Sequence, residues 1–328
     1  MADLSTSYLG IELDNPIVVG SCSLSKKIDT IKQIEEAGAG AIVLKSLFEE
    51  QVQLEQETLR QELERYQHLY AEAQSLFPAL DNNQPKEHLY WVEQSKQAVS
   101  IPVIASLNAV FEPTWVQYAQ QLADTGVDAL ELNFYSLPLD PSQTSNDIEQ
   151  RELDIFEKVR AAVKIPIAVK LHAHYTHVLN VAKAFDDRGA NGVILFNRLF
   201  QPDIDIETEK ESQAQVLSSG GGSSAALRWT ALLHGQLKAD IIASSGVASG
   251  KDAVKLLLAG STAVQVVSAL YSKGIPHIDT MKQELSDWMG RKGYATLADF
   301  RGKVSKQNVA DPWAFERAQY LKALLGFD

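Results

Sequence analysis

Four stretches of the chain share one order of apolar and polar positions: "EEAGAGAIVL" (35–44), "LADTGVDALEL" (122–132), "FDDRGANGVIL" (185–195) and "LLLAGSTAVQV" (256–266). Each is the end of a helical pattern, then a glycine (Gly38, Gly126, Gly189, Gly260), then a short run of Val, Ile, Leu and Ala. The glycine sits where a helix ends in a left-handed turn, so each stretch reads as a helix-to-strand joint. Between them lie four further apolar runs, "NPIVVGS" (15–21), "IPVIASL" (101–107), "IPIAVKL" (165–171) and "DIIASSG" (240–246). Pro opens three of these at a first-strand position, where a missing N–H costs little. The amphipathic stretches "DTIKQIEEAG", "WVQYAQQLADTG" and "KDAVKLLLAG" supply the helices.

Continuous apolar strands alternating with helices predict a parallel sheet covered on both faces. Eight of them predict an α/β chain folded as a (β/α)8 TIM barrel, with residues 1–328 forming a single domain. An open doubly wound sheet would show a G-x-G-x-x-G turn after its first strand, and "SCSLSKK" stands there instead. Helix-to-strand joints are short, whereas the strand-to-helix side carries insertions after Ser46 (to about residue 83), after Asn133 (to about 146) and after Asn197 (to about 224). All three leave the carboxyl ends of strands, the face on which such barrels place their chemistry. The charged stretch 49–77 reads as a rim helix or a lid, and residues 305–328 as a helical tail that opens at Asp311 and Pro312.

At their carboxyl ends the strands deliver Ser21, Lys45, Ser46, Ser106, Asn108, Asn133, Lys170, Asn197, Ser244, Ser245, Gly246 and Ser268. This is a polar ring with two lysines and no carboxylate. Burying an ammonium is costly, so each lysine calls for an anion or an electron-rich ring. "SSGVASGKDAVKLL" ends a strand at Ser245 and Gly246 and enters a helix through Ser249 with Asp252 three residues on, a capping-box pattern. With "VVSALY" after the eighth strand, this turn predicts a phosphate site built from backbone N–H groups. The triple glycine in "SSGGGSSAALRW" (218–229) suits a flexible lid or a backbone pressed on a flat ligand.

Composition narrows the partners. Thirty Lys+Arg against 42 Asp+Glu give a formal charge of −12, a field that repels nucleic acid and acidic membranes. No secretory leader opens "MADLSTSYLG", and no run nears the ~20 apolar residues that span a bilayer, so the expectation is a soluble cytoplasmic protein. Cys22 is the single cysteine and reads as a small buried hydrophobe. His172 and His174 form an H-x-H pair with His177 nearby, but no acidic residue closes strand eight, so no metal is expected. The lysines leave two chemistries open: Lys170 stabilising charge on a reduced flavin, or a desolvated lysine forming a Schiff base.

Over roughly residues 7–304 the chain resembles the dihydroorotate dehydrogenase family of FMN-containing barrels, through "NPIVVGS", "GAGAIVLKS", "IPVIAS", "ALELN", "IPIAVKL", "IIASSGVASGKDAVKLLLAGSTAVQVVSALYSKG" and "KGYATLADFRGKV". The resemblance implies FMN held by Ser21, Lys45, Ser46, Ser106, Asn133, Lys170, Phe196, Gly222, Ser245, Gly246, Val267 and Ser268. It implies Ser136, in "ELNFYSLP", as the base that takes a proton from the substrate, with Lys45 beside the reaction. Lys45, Asn133, Asn197 and Arg198 would bind a small anionic substrate, dihydroorotate or a relative. The chain departs from the family pattern at Pro138, Leu139 and Asp140. It also lacks the substrate loop N-S-x-G-L-x-N, and "FPALDNNQP" stands in its place. The reading is an FMN-dependent dehydrogenase acting on a CH–CH bond. A flavin-binding homologue without that activity and a Schiff-base lyase acting through Lys170 are the alternatives. Self-association as a homodimer and an iron–sulfur partner chain both stay open.

Overall fold

The structure, a computed structural model, describes residues 2–54, 57, 85–134, 138–198, 202–213, 217 and 223–316. The chain opens with an antiparallel hairpin of β1 (Thr6–Tyr8) and β2 (Ile11–Leu13). Then come β3 (Ile17–Val19), α1 (Ile28–Glu36), β4 (Ala41–Val43), the two-residue β5 (Leu47–Phe48), α2 (Lys86–Ala98), β6 (Val103–Asn108) and α3 (Glu112–Asp124). β7 (Ala129–Asn133), α4 (Ser145–Ala162), β8 (Ile167–His172), α5 (Val178–Asp187) and β9 (Gly192–Asn197) continue the alternation. A second hairpin, β10 (Pro202–Asp205) with β11 (Lys210–Gln213), precedes α6 (Ser224–Leu233), β12 (Asp240–Ala243), α7 (Gly250–Ala259), β13 (Ala263–Val266), α8 (Ser268–Lys273) and α9 (His277–Lys292).

The eight strands β3, β4, β6, β7, β8, β9, β12 and β13 pair in parallel in that order, and β13 returns to β3, so the ring is closed. This is the (β/α)8 barrel that the alternation of apolar runs and helices predicts, with each of the eight runs forming a strand. The four joint glycines have φ of 79°, 82°, 89° and 117°, as left-handed helix ends require. Helices resume after the three insertions at Lys86, Ser145 and Ser224, close to the expected points. The stretch 49–77 is helical at 49–54, and most of its remainder lies outside the described residues. Buried Glu49 accepts from Val110 N and Phe111 N at 2.7 and 3.0 Å and from Thr114 Oγ1 at 2.8 Å, so the first insertion caps α3 from a distant segment. The tail does not open as the expected α-helix: Pro312–Phe315 form a 3-10 turn, and residues 317–328 lie outside the described ones.

Alternate strand residues face into the ring. Val18, Ala41, Val43, Ile104, Ala129, Ala168, Ile194, Ile242 and Ala263 form an inner apolar cluster with Tyr8, Leu9 and Leu13 of the first hairpin. That hairpin is therefore the floor of the barrel. Its burial alternates, with Thr6 and Tyr8 inside and Ser7 exposed. The link between its strands is Leu9 (φ 58) and Gly10 (φ 77), a two-residue turn with both residues left-handed. A leucine is disfavoured there, and two contacts hold it. Its N–H donates to Asp240 Oδ2 at 2.8 Å, and its side chain lies where a Cβ on Gly192 would stand 2.6 Å from Cδ2. The outward-facing strand residues, among them Ile17, Val19, Ile42, Leu130 and Val169, join the helices in the larger core.

Close approach at the start of β4 gives a direct test of this packing. A Cβ on Gly40 would stand 2.1 Å from the backbone oxygen of Asn15, and Gly40 N–H donates to Ile17 O at 2.8 Å. Gly40→Ala therefore forces β3 and its leading turn to move, and is expected to lower stability by about 1–3 kcal/mol in urea unfolding.

Candidate functional site

Beyond the inner apolar cluster, towards the carboxyl ends of the strands, the inward positions turn polar. The alternation that places Ala129, Ala168 and Ala263 in the floor brings Glu131, Lys170 and Gln265 to the next level. Lys170 Nζ donates to Glu131 Oε1 at 3.1 Å and to Gln265 Oε1 at 3.0 Å, and Gln265 Nε2 donates to Glu131 Oε2 at 2.6 Å. The three groups close a ring of hydrogen bonds, with exposures of 0% for Glu131, 1% for Gln265 and 7% for Lys170. The sequence predicts a polar ring free of carboxylates, and Glu131 corrects that expectation. Its signal is present in the chain: it is a charge inside an apolar run, two residues before Asn133 and so on the same strand face. Desolvated pairs of this kind are held by geometry, and deleting one partner costs about 3–5 kcal/mol.

Above the triad a cleft with about 650 Å3 of space, its open mouth included, is lined by Ser21, Lys170, Phe196, Asn197, Arg198, Ser244, Ser245, Gly246, Val247, Gln265, Val267 and Ser268. The structure thus brings together seven of the residues expected to contact a cofactor, namely Ser21, Lys170, Phe196, Ser245, Gly246, Val267 and Ser268, with Asn197 and Arg198 of the expected substrate set. Ser46 stands one hydrogen bond behind Ser21, and Ser106 one behind Ser46. Ser21 Oγ lies 3.1 Å from Ser46 Oγ, which lies 2.7 Å from Ser106 Oγ, and Ser46 N–H donates to Ser21 Oγ at 3.0 Å. Asn133 also stands behind the wall, where its Oδ1 accepts from Asn197 Nδ2 at 3.0 Å.

Lys45 is placed differently from the expectation. Its Nζ donates to Gln51 Oε1 at 2.9 Å and lies 5.8 Å from the centre of the Phe48 ring, and it is not among the residues lining the cleft. Among the contacts described, Lys45 lies with Gln51 and Phe48, and Lys170 with Glu131 and Gln265. Ser136, the expected base, and Gly222, expected against the cofactor, lie outside the described residues.

The turns after β12 and β13 make the far end of the cleft. Ser245 and Gly246 both have positive φ, 75° and 72°. Ser245 is held in that uncommon conformation by its hydroxyl, which donates to Phe196 O at 3.0 Å. Ser249 caps α7 by accepting from Asp252 N, while Asp252 Oδ2 accepts from Ala248 N and Ser249 Oγ at 3.2 and 2.8 Å. An ammonium, a chain of hydroxyls and the two turns that line the cleft at Ser245–Val247 and Val267–Ser268 form a donor-rich set. It fits a flat anionic cofactor with a phosphate, as FMN is.

The three histidines have separate duties. His172 stacks on Tyr175, with ring centres 3.9 Å apart, and its Nδ1 accepts from His174 N at 3.1 Å. Tyr175 Oη donates to Glu152 Oε2 at 2.6 Å, and burial pushes its phenol well above the usual range. His177 caps α5 by accepting from Asn180 N. Among the described residues no group of three or more His, Cys, Asp or Glu side chains is arranged to hold a metal ion. No helix among them is long and apolar enough to cross a membrane.

Comparison with known proteins agrees with this geometry. A family model described as dihydroorotate dehydrogenase matches residues 3–289. The chain is 28% identical to the dihydroorotate dehydrogenase B (NAD(+)) catalytic subunit of Thermoplasma volcanium, over 94% of this chain and 100% of that protein. It is 28% identical to the dihydroorotate dehydrogenase A (fumarate) of Limosilactobacillus reuteri, over 90% of this chain and 96% of the other. It is 25% identical to the chloroplastic dihydropyrimidine dehydrogenase (NADP(+)) of Arabidopsis thaliana, over 92% of this chain and 76% of that one.

Burial, helped by the charge of His174, pushes the His172 imidazole down from 6.5 to about 4. In the unfolded chain the ring binds its proton near the ordinary value, so the unfolded state gains a proton first as pH falls. The contribution of His172 is complete above pH 6.5 and is lost as pH falls towards about 4. His172→Phe keeps the stack on Tyr175 and removes the titration. Urea unfolding between those limits should show a shallower fall in stability for the variant than for the natural chain.

Proposed function

The chain belongs to the dihydroorotate dehydrogenase family, and on that premise we propose that it is an FMN-dependent oxidoreductase that takes hydrogen from a CH–CH bond of dihydroorotate or a related small anion. The observation that carries the reading is the cleft at the carboxyl face. There the Lys170 ammonium, the Ser21 hydroxyl and the turns at Ser245–Val247 and Val267–Ser268 converge. FMN, when bound, supplies an acceptor for a hydride.

The residues of the chain divide the remaining work. The turns at Gly246 and Ser268 offer N–H groups to a phosphate. Lys170 would bring positive charge beside the flavin, with Phe196, Val267 and Gly222 among the residues that would hold it. Ser21 is aimed by Ser46, whose hydroxyl is anchored in turn on Ser106. Asn197, held by Asn133 behind it, orients the polar ring of the substrate. Arg198, on the exposed rim, and Lys45 draw an acidic substrate towards the mouth. Ser136 takes the proton from the substrate carbon next to the one that loses its hydride. A serine does this only when a water or a neighbouring group carries its proton onward.

The Schiff-base alternative is disfavoured by the site itself. A lysine attacks a carbonyl only as the free amine, and Lys170 is bonded to a buried carboxylate. The relatives named above include NAD(+) and fumarate enzymes, and one of them is a catalytic subunit. A companion chain that passes electrons on is part of the proposal.

Purified protein should be yellow or should take up FMN stoichiometrically, and a colourless chain that refuses FMN removes the reading. Anaerobic dihydroorotate should then bleach the bound flavin faster than dihydrouracil, which lacks the carboxylate. The reverse order would assign a neutral dihydropyrimidine. Ser136→Ala should leave FMN bound and slow the bleaching by ~10²–10⁴-fold, and an unchanged rate would remove Ser136 as the base.

A further inference from the structure

Lys170 carries an ammonium into a place where water is scarce, and an unpaired ammonium there would shed its proton. Two groups oppose that loss, the Glu131 carboxylate at 3.1 Å and the Gln265 carbonyl at 3.0 Å. The other ionisable groups around the triad come from three further segments. Tyr8 rises from the floor hairpin towards Glu131, and burial, reinforced by the charges of Glu131 and Asp240, holds its phenol well above the usual range. Cys22, on the loop after β3, feels the charge of Lys170, and burial pushes its thiol up. Both stay neutral near pH 7. Arg198 stands on the exposed rim of the cleft. Among the described residues, Glu131 is the one carboxylate paired with Lys170.

We propose that Glu131 is a positioning residue acting through Lys170: with Gln265 closing the ring, it keeps the ammonium charged and aimed at the ligand on the floor of the cleft. The inference rests on the flavin reading for the identity of that ligand and not for the holding of the charge. Negative charge arriving in a ligand ring as it accepts a hydride then meets a cation already in place, so no side chain has to reorganise. The third bond, Gln265 Nε2 to Glu131 Oε2 at 2.6 Å, fixes which way the carboxylate faces.

Three proteins test this: the natural chain, Glu131→Gln, and a swap combining Glu131→Gln with Gln265→Glu. The swap returns a carboxylate to the atom position 3.0 Å from Nζ. The first measurement uses protein stripped of ligand: reductive methylation with formaldehyde and cyanoborohydride near neutral pH, read at Lys170 by mass spectrometry. Lys170 should react about tenfold or more faster in Glu131→Gln than in the natural chain, with the swap matching the natural chain. Equal rates in all three, or a swap as reactive as Glu131→Gln, overturn the inference. If Glu131→Gln fails to fold, a swap that folds and resists methylation supports it, and a swap that also fails overturns it.

The second measurement tracks the absorption spectrum and midpoint potential of FMN-loaded protein between about pH 6 and 9. Glu131→Gln should show a spectrum and potential displaced from those of the natural chain and the swap, because its lysine has lost the carboxylate bonded to it. Superimposable profiles overturn the inference and leave the flavin reading standing. A natural chain that refuses FMN ends the flavin reading and leaves the methylation rates to decide the inference.

Discussion

A carboxylate, an ammonium and an amide share one level inside the ring, and each satisfies the other two. The closed barrel makes this arrangement necessary. Eight strands leave room for only a few side chains at each height, and whatever stands there cannot reach bulk water. A lysine at that height needs an acceptor on a neighbouring strand, and the register supplies one: Asn133 of β7 is paired with Lys170 of β8, so Glu131 lies two residues down the adjacent strand. Gln265 completes the set from β13, across the interior of the ring. The site above inherits a floor whose charge is balanced and whose side chains are fixed by one another.

The barrel was legible because its signal is repeated. Four helix-to-strand joints carried the same glycine in the same place, and parallel strands buried on both faces read as unbroken apolar runs. The cleft was legible at its edges, where Ser21, Lys170, Ser245, Gly246 and Ser268 end their strands. Glu131 and Gln265 were hidden because attention to strand ends passes over strand interiors; reading the same runs by parity would have shown polar residues at matching heights in three strands. The floor hairpin was hidden for another reason. Its turn is Leu-Gly and not the Asn-Gly or Asp-Gly that marks such hairpins, and the leucine is tolerated only through Asp240 and Gly192, which lie about two hundred residues away in sequence. The second lysine, Lys45, shows the limit of adjacency. It comes after its strand as the pattern requires, yet its ammonium lies with Gln51 and Phe48.

Fold and chemistry are separable in this molecule, as they are in barrels generally. The turns after β12 and β13, the hydroxyl chain and the triad build the part of the cleft that would hold the proposed cofactor. The segments that would read the substrate are the strand-to-helix insertions, which hold Pro138, Leu139 and Asp140. The relatives span dihydroorotate and dihydropyrimidine dehydrogenases. Variation in the insertions, above a constant barrel, is the economical way for one fold to serve both.

The hairpin that floors the barrel precedes in the chain every strand it closes and is bonded to residues more than two hundred positions later. Thr6 Oγ1 donates to Thr262 O, Leu9 N–H donates to Asp240 Oδ2, and Arg301 donates back to Thr6 Oγ1. As the ribosome releases the chain from its amino end, residues 6–13 emerge with nothing to sit on until the last two strands of the ring have been made. The hairpin at residues 6–13 is therefore a stopper whose seat is completed only by residues from the far end of the ring.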